Sequence, residues 1–303
     1  MSSRGFMSQL LIALAAAACI GPSFVARVSA APEPVAAATP DLARQHGLSL
    51  ASAAHTMDIA IDDAVNVLLE GQQLSVNGAA AGTTVQAVQK QLPQRLDDLL
   101  EVLKYRRTAW RSAHPDVGFP GVVLLWLDRK TPIFVVKSIY QTAAFAGYPN
   151  ASFAVRPIGK PDGLERINAD AYVPRPPATE SAETLARDPF QLCVEAVFGQ
   201  EVSLKWKLNE TVVRTVTVAE RAELGTVAFP QLAARVAAEW TAHGGHRTRY
   251  DVDFDEASVT VANELTFESM IGLIDALYTP MRDFEFSGER VSVPAFNVIV
   301  PVH

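Results

Sequence analysis

The sequence predicts an α+β protein made of two similar small domains, each a short sheet with two helices packed on one face. Three features of the 303-residue chain lead to this fold class. Apolar residues alternate early in each half, they then recur every three or four positions, and both halves repeat the same order of patterns. A proline-rich segment over residues 159–190 separates the halves and indicates a linker. We therefore predict one domain over residues 53–158 and another over residues 191–303.

Each half opens with the alternation of apolar and polar residues that is typical of half-buried strands. The alternating apolar residues are Ile59, Ile61, Val65, Val67 and Leu69 in the first half, and Leu204, Trp206 and Leu208 in the second. Turn-forming residues interrupt the first run, and residues 212–218 continue the second. Both runs therefore predict a β-hairpin.

A helical period follows each hairpin. The apolar positions are Val85, Val88, Leu92, Leu96, Leu99 and Leu103 in the first half, and Leu232, Val236 and Trp240 in the second. Pro93 predicts a kink in the first helix, because proline removes one backbone hydrogen bond. Pro230 fits the opening turn of the second helix, and Gly244 and Gly245 fit its end.

A strand and a second helix come next in each half. In the first half, residues 122–127 form an apolar run that leads to Thr131 and Pro132, which fit an N-cap and a first helical residue. In the second half, a weaker alternation leads to Thr266. At one common shift Thr131 aligns with Thr266 and Ile139 with Ile274, which indicates an internal duplication. A final strand closes each half, at residues 152–155 and 295–300.

Residues 1–30 have the layout of a bacterial secretory signal. Arg4 precedes an apolar run over residues 10–20, and small residues lead to Ala30, after which cleavage is expected. Two alternatives stay open: lipidation of Cys19, and an uncleaved helix that anchors the protein in the membrane. The sequence thus predicts a periplasmic, exported protein. Residues 31–52, rich in proline and small side chains, are expected to form a flexible tether.

The composition excludes several classes of function. The chain carries 33 acidic and 26 basic residues, so its net charge of −7 would repel the phosphates of nucleic acids. Its two cysteines are too few for a disulfide framework or a thiolate zinc site. A single cysteine in an apolar strand is typical of a core residue, which is our interpretation of Cys193.

No sequence motif of catalysis or metal binding is complete. Phosphate-binding loops, nucleophile elbows, zinc-protease helices and dinucleotide-binding glycine patterns are missing from the sequence. His243 and His246 lack a third ligand at a suitable spacing and are interpreted as a solvated turn. Residues 251–262 start like a calcium loop, but Glu256 stands where that loop needs Gly. The alternating charges of residues 247–255 favour a strand with one solvated face, so we predict no catalytic, cofactor-binding or metal-ligating residue.

Two further clusters of charge occur in the first half. The acidic cluster consists of Asp58, Asp62, Asp63 and Glu70, and the basic cluster of Lys104, Arg106, Arg107 and Arg111 with Tyr105 and Trp110 interleaved. No nucleophile accompanies the carboxylates, so they are interpreted as turn and surface residues. The cations end the first long helix, where they complement the helix dipole. Contact with an anionic partner such as a cell-wall polymer is the alternative.

The strand and helix of residues 123–147, with their acidic turn at Asp128, resemble the periplasmic domain of the biopolymer-transport ExbD/TolR family. The ending of residues 293–298 is similar to endings found in paired chains of this type. The resemblance covers residues 55–158 and, more diffusely, residues 195–300. It implies a dimeric domain that follows a membrane helix and couples a proton-driven motor to partners in the envelope.

One departure from the family limits what the resemblance implies. Residues 5–26 contain no carboxylate, whereas the motor function of the family is associated with an aspartate inside the membrane helix. We therefore expect a non-enzymatic periplasmic component in a system linked to the proton-motive force. Its expected partners are proteins of an ExbB/TolQ-type complex or peptidoglycan, without nucleic acid, and a homodimer is expected from the resemblance.

Two alternative functions come from other classes. A secreted hydrolase would place its site between the halves, and Asp128 and Asp255 are its best candidates. An adaptor domain of a secretion system is the other alternative, because small units with helices on a sheet stack in such assemblies.

Overall fold

Strands from both halves of the chain pair into one mixed β-sheet. The computed structural model describes residues 41–301 apart from residues 62, 161, 173–189, 209–210, 252 and 287. The predicted signal, the first part of the predicted tether and part of the predicted linker therefore lie outside the described residues.

Six helices and fifteen strands occur in the described part of the chain. The helices are α1 (Asp41–Gln45), α2 (Val85–Lys90), α3 (Asp97–Ala113), α4 (Ile133–Phe145), α5 (Pro230–His243) and α6 (Phe267–Leu277). The strands before the linker are β1 (Ser52–Ala53), β2 (Met57–Asp58), β3 (Val65–Glu70), β4 (Gln73–Val76), β5 (Ala79–Thr83), β6 (Val122–Trp126), β7 (Asn150–Pro157) and β8 (Glu165–Tyr172). Those after it are β9 (Phe190–Ala196), β10 (Glu201–Leu208), β11 (Thr211–Arg221), β12 (Asp255–Val261), β13 (Met281–Phe286), β14 (Glu289–Pro294) and β15 (Phe296–Pro301).

The large sheet has the strand order β11-β10-β9-β12-β15-β8-β7-β6-β3-β4-β5. Strands β1 and β2 add to it beside β7 and β8, while β13 and β14 form a separate hairpin. The outer strands on each side are antiparallel, whereas β3, β6 and β7 run parallel to one another, as do β9, β12 and β15. The predicted α+β class is confirmed.

The expectation of two separate short sheets is wrong because the two halves share strand β8. This strand is antiparallel to β7 and pairs in parallel with β15, where Ile299 lies opposite Asp170. It lies inside the segment expected to be a linker. Ile167 and Ala169 are fully buried on one face and alternate with polar residues, so the strand pattern was present in the sequence. The prolines around it obscured this pattern.

The end of the predicted tether also packs against the sheet. Ala43, Leu50 and Ala51 are buried, and Ala43 and Leu50 share a small apolar cluster with Leu124 and Trp126 of β6. This cluster covers the face of the first-half strands that lies opposite the main core. Residues 41–52 are therefore part of the fold, because β6 is apolar on both of its faces and both must be covered.

The predicted helices are present, with changes at their ends. Pro93 separates two helices, α2 and α3, instead of kinking one. Pro230 is the first residue of α5, as expected. The N-cap of α4 is Pro132, one residue later than predicted, and the N-cap of α6 is Thr266 without a side-chain hydrogen bond. None of the described helices is both long and apolar enough to cross a membrane.

Backbone hydrogen bonds join the starts of α4 and α6. The amide of Ile133 donates to the carbonyl of Leu265 at 3.0 Å, and the amide of Phe267 donates to the carbonyl of Thr131 at 2.8 Å. These bonds satisfy backbone groups that a helix leaves unpaired at its start, which explains why neither helix carries a side-chain cap. The ring of Phe267 lies 5.4 Å from that of Phe153 on β7, so the two halves share one apolar core.

A buried carboxylate organises the second half. Glu239 of α5 is 3% exposed and accepts hydrogen bonds from Trp206 Nε1 at 3.0 Å and from Arg214 Nε at 3.1 Å. Its Oε1 atom also pairs with Arg235 Nη2 at 2.7 Å. Burial alone would raise the pKa of Glu239, but these hydrogen bonds and charges lower it overall. The carboxylate therefore ties α5 to β10 and β11.

We expect Phe153→Ala to lower the free energy of unfolding by about 3–5 kcal/mol, because it opens a cavity where the two halves meet. Urea unfolding followed by circular dichroism measures this change. The control is Phe145→Ala on α4, whose side chain is 55% exposed, and it should change stability by less than about 1 kcal/mol. Equal effects of the two variants would contradict the shared core.

We expect Glu239→Gln to lower the free energy of unfolding at pH 7 by about 2 kcal/mol, because an amide cannot satisfy two arginines and an indole. The folded pKa of Glu239 lies below its ordinary value of 4.5, so the stability it confers is complete above that value and declines as the pH falls further. In urea titrations, the difference in the free energy of unfolding between wild type and the variant should therefore become smaller at acid pH. Glu101→Gln, in an exposed pair with Lys104, should show neither effect.

Candidate anion-binding surface

Helix α3 presents a basic groove to solvent. Its residues Leu99, Leu100 and Leu103 are buried in the main core, which turns the opposite face of the helix outward. An open groove of about 500 Å³ on this face is lined by Lys104, Arg107, Thr108, Arg111 and Ser112. Residues three and four positions apart are neighbours on a helix, so the three cations lie along one stripe. We call this feature the α3 groove.

The arginines of this helix hold their positions by contacts with backbone and ring atoms. Arg107 Nη1 donates to the carbonyl of Ala146 at 3.0 Å, at the end of α4, and Arg106 Nη2 donates to the carbonyl of Val76 at 3.2 Å. The guanidinium of Arg111 lies 5.9 Å from the ring centre of Phe119. Within the described residues, no carboxylate forms an ion pair with these three arginines.

Among the cations of the groove, Lys104 alone pairs with a carboxylate of the described residues. Its Nζ atom lies 3.2 Å from Glu101 Oε1, and both side chains are exposed. An exposed pair of this kind is weak, so it leaves Lys104 free to exchange partners. The surface is therefore locally positive, although the chain as a whole carries a net charge of −7.

An aromatic cluster borders the groove. Trp110 stacks on His114 at 4.5 Å between ring centres, and Phe119 contacts both Trp110 at 5.4 Å and Tyr148 at 5.1 Å. Burial raises the pKa of Tyr148 to about 12, although the nearby arginine charges oppose this rise, so the phenol stays neutral at physiological pH. The Nε1 atom of Trp110 is buried without a hydrogen-bond partner. The groove thus offers charged donors beside apolar rings.

The residues that line the groove are suited to binding an anion. Guanidinium and ammonium groups recognise carboxylates and phosphates, and the neighbouring rings can stack on sugars. No nucleophile paired with a base lines it. The sequence singled out the basic cluster of α3 but favoured an interpretation as helix-dipole partners. Only Arg111 lies in the last turn of α3, because this helix continues to Ala113.

The two carboxylates that would have served a hydrolase have structural partners. Asp128 accepts the amides of Ser49 at 3.1 Å and Lys130 at 2.9 Å. Asp255 is fully buried and accepts Trp240 Nε1 and the amide of Gly245, each at 2.8 Å. The partners of the two carboxylates belong to different segments, and no hydrogen bond or ion pair of the described residues links them.

The remaining residues considered from the sequence occupy structural positions. Asp58 accepts the amide of Ala60, Asp63 has a left-handed backbone with φ of 59°, and Glu70 pairs with His46 at 3.1 Å. All three carboxylates are exposed, which confirms their interpretation as turn and surface residues. Asp62 lies outside the described residues. Cys193 is buried, as predicted, and Cys19 lies outside the described residues.

The prediction of a strand over residues 247–255 is wrong. Residues 247–251 and 253–254 form no strand, contrary to the prediction, and β12 begins only at Asp255. Asp255 is buried and bonded to the end of α5, which prevents a strand with a solvated face. Within this loop His246 Nδ1 lies 2.9 Å from Asp251 Oδ2, and Asp253 lies close to both. His243 points elsewhere, with its Nε2 atom 3.8 Å from Glu239.

Comparison with known proteins assigns the chain to no family. Neither a family model nor a curated protein sequence matches the chain. The resemblance to ExbD/TolR proteins therefore depends on the order of elements and on the short segments in which it was found.

We expect the protein to be retained on heparin-agarose at pH 7.5 and low salt, because the α3 groove attracts sulfates despite the negative net charge. The double variant Lys104→Glu/Arg111→Glu should pass through the column. The matched control Arg44→Glu/Arg290→Glu changes the charge equally at exposed cations elsewhere and should be retained. Retention of wild type should also be lost as NaCl screens the groove. Identical elution of the two double variants would exclude the groove as the anion site.

Proposed function

We propose that this protein is a non-enzymatic component of the bacterial cell envelope whose first half binds peptidoglycan through the α3 groove. The observation that carries the proposal is the stripe of Lys104, Arg107 and Arg111 on an acidic chain, in which the two arginines form no ion pair with a carboxylate of the described residues. A positive patch that persists against the net charge favours an anionic ligand. The predicted export signal supports an envelope location for that ligand.

The chemistry of peptidoglycan suits this surface. Its peptide stems carry carboxylates, which arginine recognises through paired N–H donors. Its glycan strands carry sugar rings, which pack against aromatic side chains such as those of Trp110 and Phe119. A long polymer also engages an open groove without needing an enclosed pocket. The groove therefore matches a repeating anionic polymer better than a small metabolite.

We further propose that the chain is a duplicated module of the ExbD/TolR type. Its first half has the order β3-β4-β5-α2-α3-β6-α4-β7, and its second half has the order β9-β10-β11-α5-β12-α6-β13-β14-β15. The two orders match apart from α2 in the first half and the β13–β14 hairpin in the second. The strands of the two halves also occupy mirrored places, β5-β4-β3-β6-β7 on one side and β15-β12-β9-β10-β11 on the other. The reciprocal bonds between Ile133 and Leu265 and between Phe267 and Thr131 support the same interpretation.

The two halves differ where binding is proposed. On α5, Arg235 pairs with the buried Glu239, so its charge is neutralised within the protein. The corresponding helix of the first half, α3, keeps its arginines free of such partners. This difference supports a division of roles, in which the first half binds the polymer and the second half is available to envelope proteins of an ExbB/TolQ-type complex.

The direct test is co-sedimentation of the purified full chain with insoluble peptidoglycan sacculi. Wild type should pellet with sacculi at low salt and be released at high salt, whereas Lys104→Glu/Arg111→Glu should remain in the supernatant. The control Arg44→Glu/Arg290→Glu should pellet like wild type. Failure of wild type to pellet, or equal pelleting of both double variants, would overturn the proposal.

The envelope partners are tested separately by mild cross-linking in native cells, followed by purification and mass spectrometry. Recovery of a multi-span channel subunit supports a role linked to the proton-motive force. Recovery of the protein alone would remove that role and leave the polymer-binding proposal to the sedimentation experiment.

A further inference from the structure

The loop between α5 and β12 gathers three potential metal ligands. His246, Asp251 and Asp253 each offer one ligand atom, and these three atoms lie within 4.8 Å of one another. The closest pair is His246 Nδ1 and Asp251 Oδ2, at 2.9 Å. This pair forms a direct hydrogen bond, which an ion would replace. Two ligands of a tetrahedral ion with bonds of about 2.1 Å lie about 3.4 Å apart, so a small movement of either side chain would let both reach a common ion.

The backbone of this loop is fixed by a buried arginine from another element. Arg282 of β13 is 3% exposed and donates to the carbonyl of His246 at 3.1 Å and to that of Asp253 at 2.7 Å. Its guanidinium lies 4.4 Å from the ring centre of Phe254. The two ends of the ligand set are therefore held from outside, as the ligands of a preorganised site must be.

Asp255 provides a second anchor at the start of the loop. Its carboxylate accepts the amide of Gly245 at 2.8 Å and, at 3.4 Å, the amide of His246. A side chain added to Gly245 would meet this carboxylate at 3.2 Å, which explains the glycine at this position. The chain thus turns sharply after α5 and directs His246 toward Asp251.

The side chains of the cluster are accessible to an ion from solvent. Those of His246 and Asp251 are 22% and 27% exposed. Asp253 is exposed, so its carboxylate can move the short distance needed to complete a site.

We propose that His246, Asp251 and Asp253 bind one divalent transition-metal ion, with Zn²⁺ as the best match. One imidazole and two carboxylates form a mixed nitrogen and oxygen set, which suits Zn²⁺ or Mn²⁺ better than the oxygen-only sites that Ca²⁺ prefers. Three protein ligands leave at least one coordination position for water or an outside ligand. Binding would link the loop to the β13–β14 hairpin through Arg282. The proposal is independent of the α3 groove.

The test is isothermal titration calorimetry of the chelator-treated full chain with ZnCl₂. Wild type should bind one ion per chain at this site, and Asp253→Asn and His246→Ala should each weaken that binding at least tenfold. Asp253→Asn is the more informative variant, because its side chain is exposed and its backbone carbonyl still accepts Arg282. His243→Ala, in the same short segment, is the matched control and should bind like wild type.

A second measurement separates loss of binding from loss of folding. Zn²⁺ should raise the melting temperature of wild type and His243→Ala but not of Asp253→Asn, while all three chains melt alike without metal. No heat of binding in wild type, or equal affinity in wild type and Asp253→Asn, would overturn the proposal.

Discussion

The reciprocal backbone hydrogen bonds between the starts of α4 and α6 are the interaction on which the rest of the structure depends. They bring the first turns of two helices from different halves together, and the paired amides and carbonyls replace the side-chain caps that both helices lack. Phe153 and Phe267 then meet in an apolar core to which both halves contribute. Strand β8 continues this arrangement, because it pairs with β7 on one side and with the end of β15 on the other.

Helix α3 lies outside this junction of the two halves, and its outer face is open to solvent. Only the apolar side of the helix packs in the core. The arginines on its other side make two hydrogen bonds within the protein, from Arg107 to the end of α4 and from Arg106 to β4. Helix α5 in the second half differs from α3 in this respect. Its Glu239 pairs with Arg214 and Arg235 and accepts a hydrogen bond from the indole of Trp206, so the charges around α5 are paired within the protein.

Buried charged residues determine the course of the chain in the second half. Glu239, Asp255 and Arg282 are each 3% exposed or less. The two carboxylates accept hydrogen bonds from N–H groups, and both Nη atoms of Arg282 donate to carbonyls, whereas its Nε atom is buried without a partner. A buried charge costs free energy unless such partners are present, so each of them dictates the course of the chain around it. The loop before β12 follows from this requirement, because Asp255 fixes its start and Arg282 fixes the carbonyls of His246 and Asp253.

The sequence by itself determined the elements that depend on local patterns. Strand β6 and helix α5, with Pro230 at its start, could be predicted from periodicity and from proline positions, because these features act within a few residues. Only the tertiary structure decided the role of β8, the packing of Ala43 and Leu50 under the sheet, and the start of β12 at Asp255 instead of earlier. Each of these depends on a partner far away in the chain, such as β15, Trp126 or Arg282. For the same reason the sequence identified the cations of α3 but could not show which of them pair with carboxylates. It also could not show that His246 lies beside Asp251.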